Sequence, residues 1–193
     1  MAGEAIASYA LARGIPLPFT IQDPPETTER PDGMAGMYAL RRTMKRSQQT
    51  GTPGPHAGLG LAAYTRVTSP LRRYLDLVVH QQLRAHLRGT TLLDEQGVLE
   101  RVGAAEAVTG NVRQAELLAS RHWTMVYLVQ HPDWSGVGVL VDKRDRRGII
   151  LIPELGLETR LPVPDTLALN DTVPLALNGV NVAELEAYFR LQA

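Results

Sequence analysis

After Trp134 the apolar residues fall on every second position, whereas upstream they recur at three and four. That change of period divides the chain, because a period of two lines one face of a strand and a period of 3.6 lines one face of a helix. Val137, Val139 and Val141 alternate, Asp145–Arg147 turns the chain, and Gly148–Pro153 is apolar. Leu157–Leu161 is short. Val173, Leu175 and Leu177 alternate, with Asn178-Gly179 following as a turn signal. Leu185, Ala187, Phe189 and Leu191 then oppose Glu184, Glu186, Tyr188 and Arg190. Five short strands this close together are expected to close on themselves, since closure leaves no exposed edge, and their number fits a small barrel of the OB type. The expected class is α+β: a mainly helical region, residues 1–132, followed by a five-stranded barrel, residues 133–193.

The helical region opens with residues 1–13, a helix closed by Gly14. Ile15 to Ile21 reads as extended, because Pro16 and Pro18 push their predecessors out of the α region. Asp23-Pro24-Pro25 ends it, and residues 26–33 read as a polar loop. A basic helix is expected from about Gly36 to Gln48, with Arg41, Arg42, Lys45 and Arg46. It is either a solvated face or a patch that tracks phosphates. Residues 50–58 form a loop by turn chemistry, in which His56 is either structural or a ligand or base. Gly89–Thr91 breaks the chain, and a helix is expected from about Asp94 to Ala107. Thr109 then caps a last helix, running to His131, with Ala115, Leu118, Ala119 and Trp123 on its buried side. Arg113 and Glu116 share another face of it, where Glu116 is either an exposed carboxylate or a working one.

The densest signals lie between His56 and Arg88. Thr68 or Ser69 caps a helix whose first position is Pro70. Leu71, Leu75, Val78, Val79, Leu83 and Leu87 give it an apolar stripe, while Arg72, Asp76 and His80 fall at i, i+4 and i+8 on a second face. An arginine in the first turn sits near the positive pole of the helix, and bound phosphate is one group that compensates it. An ordinary amphipathic helix with an Arg72–Asp76 surface pair accounts for the same residues.

The exact string narrows this. His-Ala-Gly-Leu-Gly-Leu-Ala-Ala-Tyr-Thr at 56–65, then Thr-Ser-Pro-Leu-Arg-Arg-Tyr-Leu-Asp-Leu-Val-Val-His at 68–80, closely resembles the signature of the ribonuclease II family, the processive 3′-to-5′ exoribonucleases. Ala57 departs from the large aromatic usual there, and Arg66-Val67 from the usual His-Phe. The helix, Ile-Pro step and proline pair of residues 1–25 also resemble the family's, as does Arg-Gln-Ala-Glu at 113–116, although Leu117 and Leu118 replace the usual Arg-Asp. The family string lies inside a catalytic domain, so Met1 is expected to be an internal methionine. The resemblance implies hydrolysis of single-stranded RNA to nucleoside 5′-monophosphates, with Arg72 and Glu116 catalytic. It further implies RNA contacts from Tyr64, Thr65, Thr68, Ser69, Arg73 and His80, joined by Arg41 and Arg42. A barrel similar to the RNA-binding repeat of a ribosomal protein follows the catalytic domain in that family. Here Arg147–Leu161 lacks the aromatics that stack bases on such barrels, so weak RNA contact or an architectural role is expected.

The family is magnesium-dependent, and phosphodiester cleavage wants clustered carboxylates. No close aspartate quartet stands in this sequence; Asp142 and Asp145 lie three apart among basic residues and read as a turn. No residue is therefore assigned to metal, and the magnesium ligands are expected outside the chain, in an N-terminal part of the same enzyme. A non-catalytic RNA-binding protein that kept the fold is the alternative, and a plain interaction domain is a weaker third. The absence of cysteine excludes disulfides and thiolate zinc, which fits a cytoplasmic protein. No segment approaches the ~20 apolar residues of a membrane span, so no membrane partner is expected. Formal net charge is zero, so nucleic-acid binding must rest on a local basic surface.

Overall fold

A computed structural model describes residues 1–26 and 32–192. Most of the loop expected at 26–33 lies outside them. In chain order the elements are α1 (Ala2–Leu11), β1 (Phe19–Ile21), α2 (Gly33–Thr43), β2 (Gln48–Thr50), a 3-10 turn (Ala57–Leu59), α3 (Tyr74–Arg88), α4 (Glu95–Gln130), β3 (Ser135–Arg144), β4 (Arg147–Ile152), β5 (Leu157–Pro162), β6 (Thr172–Asn181) and β7 (Glu186–Leu191). They form two compact units, Met1–Glu26 with Met44–Val112, and Thr27–Thr43 with Arg113–Ala193.

In the first unit, Ala7 and Ala10 of α1 pack with Ile15, Leu17, Phe19 and Val79. Gly3 lies against the Tyr64 ring and the Thr65 carbonyl so closely that no Cβ fits there. Leu75 and Val78 of α3 meet Val98 and Val102 of α4. Buried Gln82 ties α3 to two loops: its Nε2 donates to the Pro16 and Leu93 carbonyls, each at 2.9 Å, and its Oε1 accepts from the Leu93 N–H at 2.9 Å. The basic helix ends at Thr43 rather than near Gln48. Gln48–Thr50 is instead extended and pairs antiparallel with β1, Phe19 opposite Thr50, because the β1 backbone offers a ladder that helix propensity alone does not outweigh.

The second unit is a nearly closed antiparallel barrel of five strands in the order β5-β4-β3-β6-β7. Its core joins Leu140, Ile150, Ile152, Val173, Leu175 and Phe189 to Met125 and Leu128 from the end of α4. Trp134 meets Phe189 edge-on at 5.5 Å. The β3–β4 reversal falls at Asp145, φ 53°, where expected. Asn178-Gly179 is not a turn: β6 runs through it with a register shift, and the chain reverses at Val182–Leu185, Leu185 taking φ 54°. That extra residue bends the strand around the barrel. Ala35 of α2 packs on Val139 and Val141, and its N–H donates to Asn170 Oδ1 at 2.8 Å.

The two helices expected at 94–107 and 109–131 are one helix of 36 residues. Thr109 does not cap: its hydroxyl donates to the Ala105 carbonyl at 2.8 Å, one turn back, and the helix passes straight through. Ala115, Leu118, Ala119 and Trp123 are exposed, as is every residue from Glu106 to Trp123. The periodicity is real, but among the described residues nothing buries this face.

Candidate functional site

The signature folds into a turn pinned to the start of α3. The N–H groups of Arg72 and Arg73 both donate to the Ser69 carbonyl, at 3.2 and 3.0 Å. Arg73 is the residue before the helix, with extended backbone at φ −123°, ψ 113°. Helix α3 therefore begins at Tyr74, not at Pro70, and neither Thr68 nor Ser69 caps it with its side chain. Asp76, in the first helical turn, supplies the missing acceptor. Its Oδ2 accepts from the Ser69 N–H at 2.9 Å and from Arg73 Nη2 and Nε at 2.7 and 3.1 Å. Arg73 Nη2 reaches on to Thr68 Oγ1 at 3.2 Å. One turn further along α3, His80 Nε2 lies 2.8 Å from the Val67 carbonyl, which can only accept, so Nε2 carries the proton. Residues 67–73 are thus held at three points by one helix.

This corrects the expected Arg72–Asp76 pair. Arg72 precedes the helix, so the i, i+4 relation does not reach it, and Arg73 takes the carboxylate instead. Arg72 is exposed, and its side chain has no hydrogen-bond or ion-pair partner among the described residues. Leu71, expected in the apolar stripe, is likewise wholly exposed, for the same reason.

Thr65 leaves the set of RNA contacts: its side chain is buried, and its hydroxyl donates to the Pro18 carbonyl at 2.6 Å, facing the core. Tyr64 is half-buried and sits edge-on to His56, ring centres 5.5 Å apart. Burial holds the His56 pKa below its ordinary value, the Arg66 charge adding to it against a backbone hydrogen bond, and Nδ1 has no partner among the described residues. Thr68 is exposed, and Ser69, Arg73 and His80 are half-buried.

Arg41, Arg42 and Glu116 belong to the other unit. Arg41 pairs with Glu158 and Arg42 with Asp142, each at 3.1 Å, across α2 and the barrel. Tyr38 also donates to Glu158, at 3.1 Å; burial and then that carboxylate push its phenol pKa up. Glu116 is exposed on α4, without a partner among the described residues. Also in this unit, and not foreseen as a site, Trp123 and Tyr127 line an open cleft of about 590 Å³ with Ser120, Thr124, Glu154 and Leu155. Trp123 and Tyr127 at helical spacing were the available signal; of the two, only Trp123 enters the sequence reading, on the buried side.

Among the described residues no three His, Asp or Glu side chains converge on a point that would hold a metal ion. The described residues do not fit a magnesium site. Among the described residues no helix is long and apolar enough to cross a membrane.

Comparison with known proteins agrees with the order of these parts. Residues 33–89 match the RNB domain, and residues 134–192 match the RNase II-type exonuclease C-terminal S1 domain. An uncharacterised ribonuclease of Synechocystis is 32% identical over 98% of this chain and 30% of its own length. The chloroplastic/mitochondrial ribonuclease II of Arabidopsis thaliana is 27% identical over 90% of this chain and 23% of its own. The chain therefore spans less than a third of the length of these relatives. Mycoplasma genitalium RNase R, solved in complex with ribose-methylated single-stranded RNA, superposes with a TM-score of 0.69 at 16% identity, covering 99% of this chain and 40% of that one. At that identity the likeness speaks for the fold. With the RNB match followed by the S1 match, and a relative aligned along nearly the whole of this chain, the chain belongs to the ribonuclease II family.

Proposed function

We propose that this chain is part of a processive 3′-to-5′ exoribonuclease that hydrolyses single-stranded RNA to nucleoside 5′-monophosphates. The observation that carries the reading is Arg72, whose guanidinium has no partner among the described residues, on a turn that Asp76 and His80 hold through Ser69, Arg73 and Val67. Cleavage builds negative charge on the scissile phosphate. A guanidinium offers that phosphate two parallel donors and stays charged at any working pH. Because Asp76 is occupied by Arg73 and Ser69, it does not compete for Arg72. The turn is fixed before substrate arrives, so little ordering is needed at the moment of reaction. Thr68, Ser69, Tyr64, Arg73 and His80 shape the wall beside it, and Arg41 and Arg42, each paired with a carboxylate, belong to this reading as further RNA contacts. Glu116 belongs to this reading as a second working group.

Ribonuclease names among the relatives, and RNA bound to the Mycoplasma protein, support RNA as the substrate. The other partner is the remaining catalytic part of the enzyme, whose carboxylates hold magnesium; the cytoplasm is the proposed compartment.

The test is single-turnover cleavage alongside equilibrium binding of one RNA by the complete enzyme. Arg72→Ala lowers cleavage about 100–1000-fold, as loss of one transition-state donor does. Binding falls far less, because other phosphate contacts remain. Arg72→Lys is also poor, since one ammonium does not reproduce the fork. Equal losses in binding and cleavage would make Arg72 a wall residue and overturn the assignment.

A further inference from the structure

We infer that Trp123 and Tyr127 form a stacking site for a nucleobase of single-stranded RNA, placed on α4 beside the barrel rather than on the barrel strands. The inference rests on RNA being the substrate, as proposed above.

Trp123 is 67% exposed and Tyr127 39% exposed. They stand four residues apart and so share a face of the helix. Leu155 and Glu154, from the link between β4 and β5, face them across the cleft, and Ser120 and Thr124 complete its lining. Both rings have ring neighbours: His122 meets Trp123 edge-on at 5.4 Å, and His131 stacks on Tyr127 at 4.2 Å, 29° from parallel. His131 is itself anchored, its Nδ1 2.8 Å from the Tyr127 carbonyl.

The chemistry of the lining selects the occupant. Two aromatic rings and a leucine offer flat apolar area. Two hydroxyls, a phenol and one carboxylate offer hydrogen bonds at the rim. No lysine or arginine lines the cleft, and Glu154 repels an anion. A phosphate does not suit such a place, whereas a neutral flat ring with a polar edge does, which is a nucleobase with its ribose. Placement matters as well. The barrel strands from Arg147 to Leu161 carry no aromatic side chain, so the stacking surface that RNA-binding barrels usually carry on their strands is here supplied by the neighbouring helix.

Two tryptophans make the site readable. Trp134 is only 7% exposed, inside the barrel core, so quenching by a solute or a base reports Trp123. The purified chain is titrated with oligoadenylate and with an abasic ribose–phosphate chain of equal length, while anisotropy of a label on each follows binding. Oligoadenylate is expected to quench Trp123 saturably and in step with binding, and the abasic chain to bind without quenching. Stacking of one base contributes about fivefold to a hundredfold in affinity, so Trp123→Ala with Tyr127→Ala should weaken oligoadenylate binding about tenfold and leave the abasic chain nearly unchanged. Trp123→Phe should keep most of the affinity. Retained Trp134 emission shows that each variant is folded. RNA binding with no response from Trp123, or equal losses for both probes, overturns the stacking site while leaving RNA as the substrate. No binding of either probe overturns this inference together with the RNA reading. Quenching that grows with protein concentration alone, with dimers in sedimentation, assigns the face to a second copy and also overturns it.

Discussion

A carboxylate without solvent exposure persists in a fold only where its charge is answered. Asp76 is wholly buried, and one oxygen, Oδ2, receives the Ser69 N–H and two donors of Arg73. Its other oxygen has no partner among the described residues. Removing the carboxylate releases the turn and leaves the half-buried Arg73 unanswered, so Asp76→Ala should cost about 3–5 kcal/mol, as breaking a buried pair from one side does. Urea unfolding of the purified chain measures it; a loss under ~1 kcal/mol, the range of exposed pairs, would mean that the turn does not depend on Asp76. Arg72→Ala, by contrast, should leave stability nearly unchanged, since the Arg72 side chain has no partner among the described residues and the substitution keeps its backbone N–H on Ser69. The sequence pattern put Arg72, Asp76 and His80 on one face and paired the first two, whereas Arg73 holds the carboxylate. Ser69-Pro70 was read as a cap and first helical position, yet serine followed by proline is equally the opening of a type I turn. Only the hydrogen bonds of Arg72 and Arg73 to the Ser69 carbonyl distinguish the two, and they move the helix start to Tyr74. Shifting that start changes which arginine lies one turn before Asp76.

At the scale of elements, glycines mark where backbone approach decides stability. Gly138 sits in β3, where an added Cβ meets Ile150 Cγ2 and comes within 2.8 Å of Leu175 Cδ1, both side chains fully buried. Gly138→Ala should therefore overpack the barrel and cost about 1–3 kcal/mol. Gly103 in α4 has nothing within 4 Å of its added Cβ, so Gly103→Ala should stabilise the helix by about 0.5–1 kcal/mol. Thermal unfolding of the two variants should move in opposite directions; a destabilised Gly103→Ala would reveal a close neighbour at that face of α4. The barrel was legible because strand alternation and Gly/Asp turn residues act locally, within a few positions. The length of α4 was not, because a threonine at a helix start and one bonded back to the preceding turn look alike in sequence. Nor was the exposure of its middle, since periodicity records that a face is apolar and not what covers it. The cleft at Trp123 follows from that same gap: the pair was visible at helical spacing, while Glu154 and Leu155 opposite it come from a strand link more than twenty-five residues on.

The whole molecule carries an exposed arginine on a turn fixed by α3 and an S1-type barrel but, among its described residues, no carboxylate cluster. Its formal charge is zero, so no overall field draws in RNA or metal. The relatives it matches extend far beyond it, and the chain spans 30% of one and 23% of the other. These facts separate binding from chemistry. Phosphodiester hydrolysis needs the attacking and leaving oxygens stabilised together, which a single guanidinium does not provide. The purified chain should therefore neither bind magnesium tightly in isothermal titration nor shorten a labelled RNA when magnesium is present. It should still hold RNA weakly. The part of that affinity due to phosphate contacts should fall steeply with salt, because each neutralised phosphate releases counterions. Tight binding that persists at high salt, traced by NMR shifts to residues 134–193, would contradict the weak barrel contact expected from the lack of aromatics between Arg147 and Leu161. Magnesium-dependent trimming by the chain alone would be the stronger contradiction, since it requires metal ligands among residues where no such group stands. If trimming appears only when the remaining catalytic part is restored, and then disappears again with Arg72→Ala, the division of labour is established: carboxylates and metal from elsewhere in the enzyme, the fixed arginine from this chain.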